Sequence, residues 1–221
     1  HKYRLRWSNA NDPETWTAAD YVDIDKGDHG DYITGLCPMG DRLLVFKSNS
    51  VYAVFGFDSD SFQVVTLSND VGSVPLSSPV ATPYGAFFWY ADRGVYLYNR
   101  EGFVWIFDKL SPAVDDGRVT FGSNPQLAWG NNKLYVTVDW TEDGSTTRRT
   151  LIYDPTIAGG AWITTNIDAA AVYAYKPPNS SSTVYGACVA NTGVLIDMED
   201  EQKRDTDRYD TSTETHISSY F

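Results

Sequence analysis

Four carboxylates fall within one short stretch, DIDKGDHGD, at Asp23, Asp25, Asp28 and Asp31. Calcium takes six to eight oxygen ligands from a tight loop, so this ladder is the first place to look for a metal. The EF-hand pattern is not met. Gly27 stands where a ligand belongs and no Glu closes the loop. The plainer reading is a solvated turn between strands, and calcium binding by these four residues stays open on sequence alone. His1, His29 and His216 lie far apart and follow no zinc spacing. Cys37 and Cys188 also lie far apart. They read as two small buried side chains, and nothing supports a disulfide between them. No metal ligand set and no cofactor site is therefore assigned.

Asp92 in WYADRG and Asp139 in VDWTED are the carboxylates best placed for hydrolysis. Glycosidases use one carboxyl as acid and another as base or nucleophile, and five-bladed propellers can carry such pairs. The local patterns favour structural roles. Asp92 stands in a turn, where Asp supports the geometry, and Asp139 reads as the end of a strand before a polar excursion. There is no G-x-S-x-G elbow and no phosphate-binding loop. The expectation is a protein without catalytic residues. Trp89, Trp105, Trp129 and Trp162 could stack on sugars, but their strand positions point to the core.

These residues are carried by a repeated unit. The stretch DRLLVFKSNSVYAVFGFD, residues 41–58, reads as strand, turn, strand: β-branched and aromatic runs bounded by Ser, Asn and Gly. The apolar residue in the strand before that hairpin is Leu36. Its counterparts are Val80, Leu127 and Val172, at spacings of 44, 47 and 45 residues. The third strand recurs at 50–56, 94–99, 150–155 and 193–198. Fourth strands follow at 62–67, 103–110 and 162–167. The chain opens with a third and a fourth strand alone, at 3–9 and 16–24, and 215–221 could supply the last fourth strand. Four short strands in about 45 residues is the period of a propeller blade. A single such sheet cannot bury both its faces, and stacked sheets can. The fold class expected is all-β: a β-propeller of about five four-stranded blades, the first incomplete, forming one domain over 1–221. Leu44, Phe46, Phe88, Tyr135 and Val189 should lie in central strands. An open or strongly twisted sandwich is the alternative.

Composition sets the outer limits. With 42% apolar and 14% aromatic residues in 221, the chain can build a sizeable core. No apolar run reaches the roughly 18 residues of a membrane span, so no membrane insertion is expected. A formal charge of −12 argues against gripping duplex DNA, which needs clustered cations. The most charged stretch is 198–216, an exposed loop or an arm that orders on a partner.

The order of several short motifs resembles the propeller segment of phage tail nozzle and tail-hub proteins, the tail tubular protein B type. An R-x-R-W-S strand (Arg4, Arg6, Trp7, Ser8) is followed by D-P-E-x-W (Asp12, Pro13, Glu14, Trp16). Leu44, Val45, Phe46 and Lys47 then turn into Ser50, Val51 and Tyr52. Val71-Gly72 and Gly94-Val95-Tyr96 follow. The resemblance covers roughly residues 3–110, and the family's members are longer, so this chain is expected to be a piece of a longer tail protein. It implies a virion component assembled in the host cytoplasm: copies of itself in a ring, neighbouring tail or adaptor proteins, and duplex DNA passing through without specific binding. It implies no catalytic residue. A receptor- or glycan-binding propeller is the second expectation and a five-bladed glycoside hydrolase the third.

Overall fold

The computed structural model describes residues 2–27, 31–58, 60–75, 77, 79–115, 119–121, 125–165, 169–175, 184–189, 195–197 and 217–219. The protein is all-β, with only short helical turns at Ala91–Arg93, Asp108–Leu110 and Ser111–Asp115 among the described residues. No described helix is long and apolar enough to cross a membrane.

Among the described residues, five antiparallel sheets follow one another along the chain. The first pairs β1 (Arg4–Arg6) with β2 (Tyr21–Asp23). The second is a meander of β3 (Ile33–Met39), β4 (Arg42–Lys47), β5 (Val51–Phe55) and β6 (Gln63–Ser68). The third repeats it with β7 (Val80–Thr82), β8 (Gly85–Tyr90), β9 (Gly94–Asn99) and β10 (Gly102–Trp105). The fourth contains β11 (Val119–Phe121), β12 (Gln126–Gly130), β13 (Lys133–Glu142), β14 (Ser145–Asp154) and β15 (Ala161–Thr165). The fifth has β16 (Ala169–Tyr175), β17 (Val184–Val189) and β18 (Leu195–Asp197). Leu36, Val80 and Val172 stand in the first strand of their sheets, and Leu127 stands in β12, the strand that leads into the β13–β14 hairpin after β11, so the predicted spacing recurs with one strand added ahead of it.

Alternation along the central strands explains why they read as nearly continuous apolar runs: both faces are covered. Leu44 and Phe46 of β4, with Val51 and Ala53 of β5, meet Ala86 and Phe88 of the third sheet. Their neighbours Val45, Tyr52 and Val54 face the other way, onto Ile24, Leu5 and Val22 beside the first sheet. In the third sheet the same switch turns Phe87, Trp89 and Val95 toward Leu134, Val136, Leu151 and Trp162 of the fourth. Leu44, Phe46, Phe88 and Tyr135 are buried in central strands as expected, and Val189 ends β17 opposite Ala169.

From the second sheet to the fifth, neighbouring sheets approach one another along the strands that lead into their hairpins. β3 lies against β7, β7 against β12, and β12 against β16. The last strands β6, β10 and β15 are not comparably close to one another.

Three boundaries differ from the sequence reading. β10 stops at Trp105, because Ile106 and Phe107 leave the sheet to fill the core beneath Trp89 and Trp162. Asp139 does not end a strand but stands within β13, in a hairpin whose arms are ten residues each. The tip is Asp143-Gly144, with φ of 51° and 74°, the primed two-residue turn that matches strand twist. The last strand, β19 (Ile217–Ser219), pairs with β15 rather than completing the sheet of β18. The segment 198–216 lies outside the described residues.

Candidate functional site

The carboxylate ladder is built into the joint between the first two sheets. Arg4 donates to both oxygens of Asp23, at 2.7 and 3.1 Å, and its guanidinium lies 3.5 Å from the centre of the Tyr21 ring. The hydrogen bond from Arg4 holds the Asp23 carboxyl below its ordinary range. A carboxyl lowered on folding stabilises the fold fully above its unfolded value, about pH 4. That contribution is lost as pH falls through the lowered folded value. Asp25 accepts from the Tyr52 hydroxyl at 2.8 Å, and its backbone oxygen accepts from the Lys47 ammonium at 3.2 Å. Asp31 is buried and accepts from the Ser50 hydroxyl at 2.6 Å and from the Asn49 and Tyr32 amides. Asp28 lies outside the described residues. The three described carboxylates therefore turn to three different partners. Among the described residues no three His, Cys, Asp or Glu side chains converge as a metal site would need.

Lys47 was not legible as a central residue. It ends β4, yet it is fully buried, 5.3 Å from the centre of the Tyr52 ring. Its backbone oxygen accepts from Ser73 N–H at 2.8 Å. Gly72 is pressed so close to this turn that a Cβ would come well inside 3.0 Å of Lys47 O and the Ser48 carbonyl. The local signal was present in both cases: a cation closing an apolar run, and a glycine just before an extended segment.

The D-P-E-x-W element forms a self-contained surface turn. Asn9 N–H donates to Thr15 O, Trp16 Nε1 donates to Pro13 O, and Thr17 donates to Asn9 Oδ1. Arg6 closes it by donating to Thr17 O at 3.0 Å.

The two hydrolytic candidates stand on different sheets. Asp92 lies in the turn Ala91–Arg93 between β8 and β9, and its side chain lies outside the described part of the structure. Asp139 faces its cross-strand neighbour Arg148 at 2.8 Å. Arg148 also donates to Thr137 Oγ1 and to Ala169 O, both at 3.2 Å, which ties the fourth sheet to the fifth. Asp139 is a positioning group for that arginine. Asp139→Asn keeps an acceptor at a partly exposed site, so its cost should be at most about 1 kcal/mol. Thermal melts of the two proteins should differ by only a few degrees.

Trp89 and Trp162 are buried, and Trp105 and Trp129 are packed against the same cluster. Trp105 Nε1 donates to Arg93 O, and Trp129 stacks on Phe87 at 5.8 Å. Cys37 is buried and unpaired, and burial pushes its thiol up to about 11. Cys188 lies in β17, with its side chain outside the described part. His1, His29 and His216 lie outside the described residues.

Two clefts open beside the turn Gly40–Asp41. One, of 470 Å³, runs between the first and second sheets past Leu5, Trp7, Leu36 and Phe62. The other, of 740 Å³, lies between turns of the second and third sheets, with Tyr84 and Tyr98 beside Asp41, Asn99 and Glu101. No protein-family model matches the chain, and no curated protein matches it.

Proposed function

We propose that the five sheets are blades of a β-propeller, the first incomplete in this chain. We further propose that the chain is a non-catalytic structural part of a bacteriophage tail, in a nozzle or tail-hub ring around the DNA channel. The radial reading is supported by sheets that approach one another along the strands that lead into their hairpins and not along their last. The structural reading rests on one observation: motifs spread over residues 4–73 meet around one joint. Lys47 and Tyr52 of the second sheet hold Asp25, just after the first sheet. Arg4–Asp23 and Asp31–Ser50 fasten the strands and turns on either side of it, and Gly72 packs on the turn after Lys47. These groups are engaged in structural contacts, which is what a scaffold requires.

The charge suits a conduit wall. A surface of net charge −12 repels duplex DNA over a Debye length of about 8–10 Å, which lets a genome pass without being gripped. The purified chain should show no measurable duplex binding in an anisotropy titration at physiological salt. Tight binding that weakens steeply with salt would contradict this wall. Immunogold labelling of virions with an antibody against the chain tests the location. Label at the tail tip is expected, and virions lacking the protein would overturn the proposal. The cleft holding Tyr84 and Tyr98 beside polar side chains of both charges favours glycan binding as the second reading, and a glycan array addresses it.

A further inference from the structure

We propose that strand β6 is a docking edge: an extended apolar segment of another protein, with basic residues at both ends, adds to it as a fifth strand. This does not depend on the phage or propeller reading. β6 is the last strand of the second sheet, so one of its edges is bonded to β5 and the other has no strand beside it among the described residues. Its sequence, QVVTLS, has no charge and no proline. Charge and proline are two features by which proteins blunt an open edge; a third, a bulge, falls at Leu67, so the regular free run is Gln63–Thr66. The other last strands of the sheets are shorter, and the first strands β3 and β16, of seven residues each, lie against neighbouring sheets. β2 has three residues and carries the Arg4–Asp23 pair, β10 has four, and β15 already holds β19 on its outer side. The molecule thus covers the outer edge of β15 with an added strand and leaves β6, the longest last strand, open among the described residues.

The side chains agree. Val64 and Val65 are adjacent and so point to opposite faces, yet they are 37% and 44% exposed. Only the flanks of the strand are anchored, by Phe62 toward the first sheet and Leu67 toward the third. Phe57, just before β6, is 99% exposed.

Charge decides what kind of strand fits. Asp58 and Asp60 precede β6, Asp70 follows it, and all three are exposed. From residue 48 to residue 92 there is no Lys, Arg or His at all. The cations of this sheet stand two strands inward on β4: Arg42, bonded to Asp41 at 2.9 Å, and Lys47, which is fully buried. Two copies pairing antiparallel through β6 would set Asp70 of each beside Asp58 and Asp60 of the other, which is repulsive. A strand ending in Lys or Arg meets complementary charge at both ends, while its backbone supplies the binding and Val64 and Val65 contact its apolar side chains.

The test uses the full 221-residue chain and two capped peptides sharing the core Thr-Val-Thr-Val-Thr, one with two Lys at each end and one with two Glu. The lysine peptide should slow hydrogen exchange of amides in 63–68. The glutamate peptide should bind about tenfold more weakly, the sum of a few surface charge contacts. Val65→Lys, at an exposed position that leaves folding intact, should abolish the protection, and Val65→Thr should retain it. Equal protection by both peptides, protection by neither, or protection unchanged in Val65→Lys would overturn the proposal. So would protection of 63–68 that appears in the chain alone as its concentration rises, since that is pairing of two copies.

Discussion

Trp162→Ala should destabilise the protein by about 3–5 kcal/mol, the largest loss expected from any single truncation here. The indole is 3% exposed and sits edge-on to Phe107 and tilted against Tyr153, each with ring centres 4.9 Å apart. It also reaches across the core: Nε1 donates to Ile106 O at 2.9 Å, the residue where the chain leaves the third sheet. Truncation therefore opens a cavity and strands a buried carbonyl at one point. Trp162→Phe separates the two effects, because it keeps most of the ring and loses only the donor, at about 1–3 kcal/mol. Urea unfolding followed by circular dichroism measures both. A loss under about 1 kcal/mol for the alanine variant would mean that the third and fourth sheets do not share this core.

Gly72→Ala should cost about 3 kcal/mol for the addition of one methyl group, at the upper end of what overpacking usually does. The new Cβ would strike backbone atoms of Lys47 and Ser48, which cannot swing aside as a side chain can. Relief requires moving residues 71–74 off the turn, which breaks the bond from Ser73 N–H to Lys47 O. Gly40→Ala is the control. Gly40 has φ of 60° and nothing within 4 Å of a Cβ, so that variant feels only the backbone penalty, about 1 kcal/mol. Equal melting temperatures for the two variants would refute close packing at Gly72.

Much of the architecture could be read from local pattern. Leu36, Val80, Leu127 and Val172 recur because each lies in the strand that leads into a hairpin of one sheet, and the repetition of that sheet sets their period, although Leu36 itself is 45% exposed. The ends of the β13–β14 hairpin escaped notice for a physical reason. Beyond Trp140 its arms leave the core, so TEDGSTTRR shows no apolar alternation, and only the Asp-Gly turn marks it. Lys47 escaped notice because its partner lies 22 residues earlier and is a backbone oxygen, which no side-chain pattern records. The pairing of β19 with β15 has no local signature at all. The carboxylates at Asp23, Asp25 and Asp31 were visible as a cluster in sequence, but their separate partners are a property of the folded joint.

The meander order of the sheets bears on how the chain folds as it is made. Up to β15 every pairing but that of β11 with β13 joins strands adjacent in sequence, so little loop entropy is lost in forming the sheets. The second sheet is complete in its strands once Ser68 has emerged from the ribosome, but Phe46 and Ala53 remain bare until Phe88 arrives some twenty residues later. Synthesis in the N-to-C direction therefore keeps only one sheet face waiting for its cover at any moment. β19 is the exception, for its partner is made some fifty residues before it, and it must be the last pairing to form.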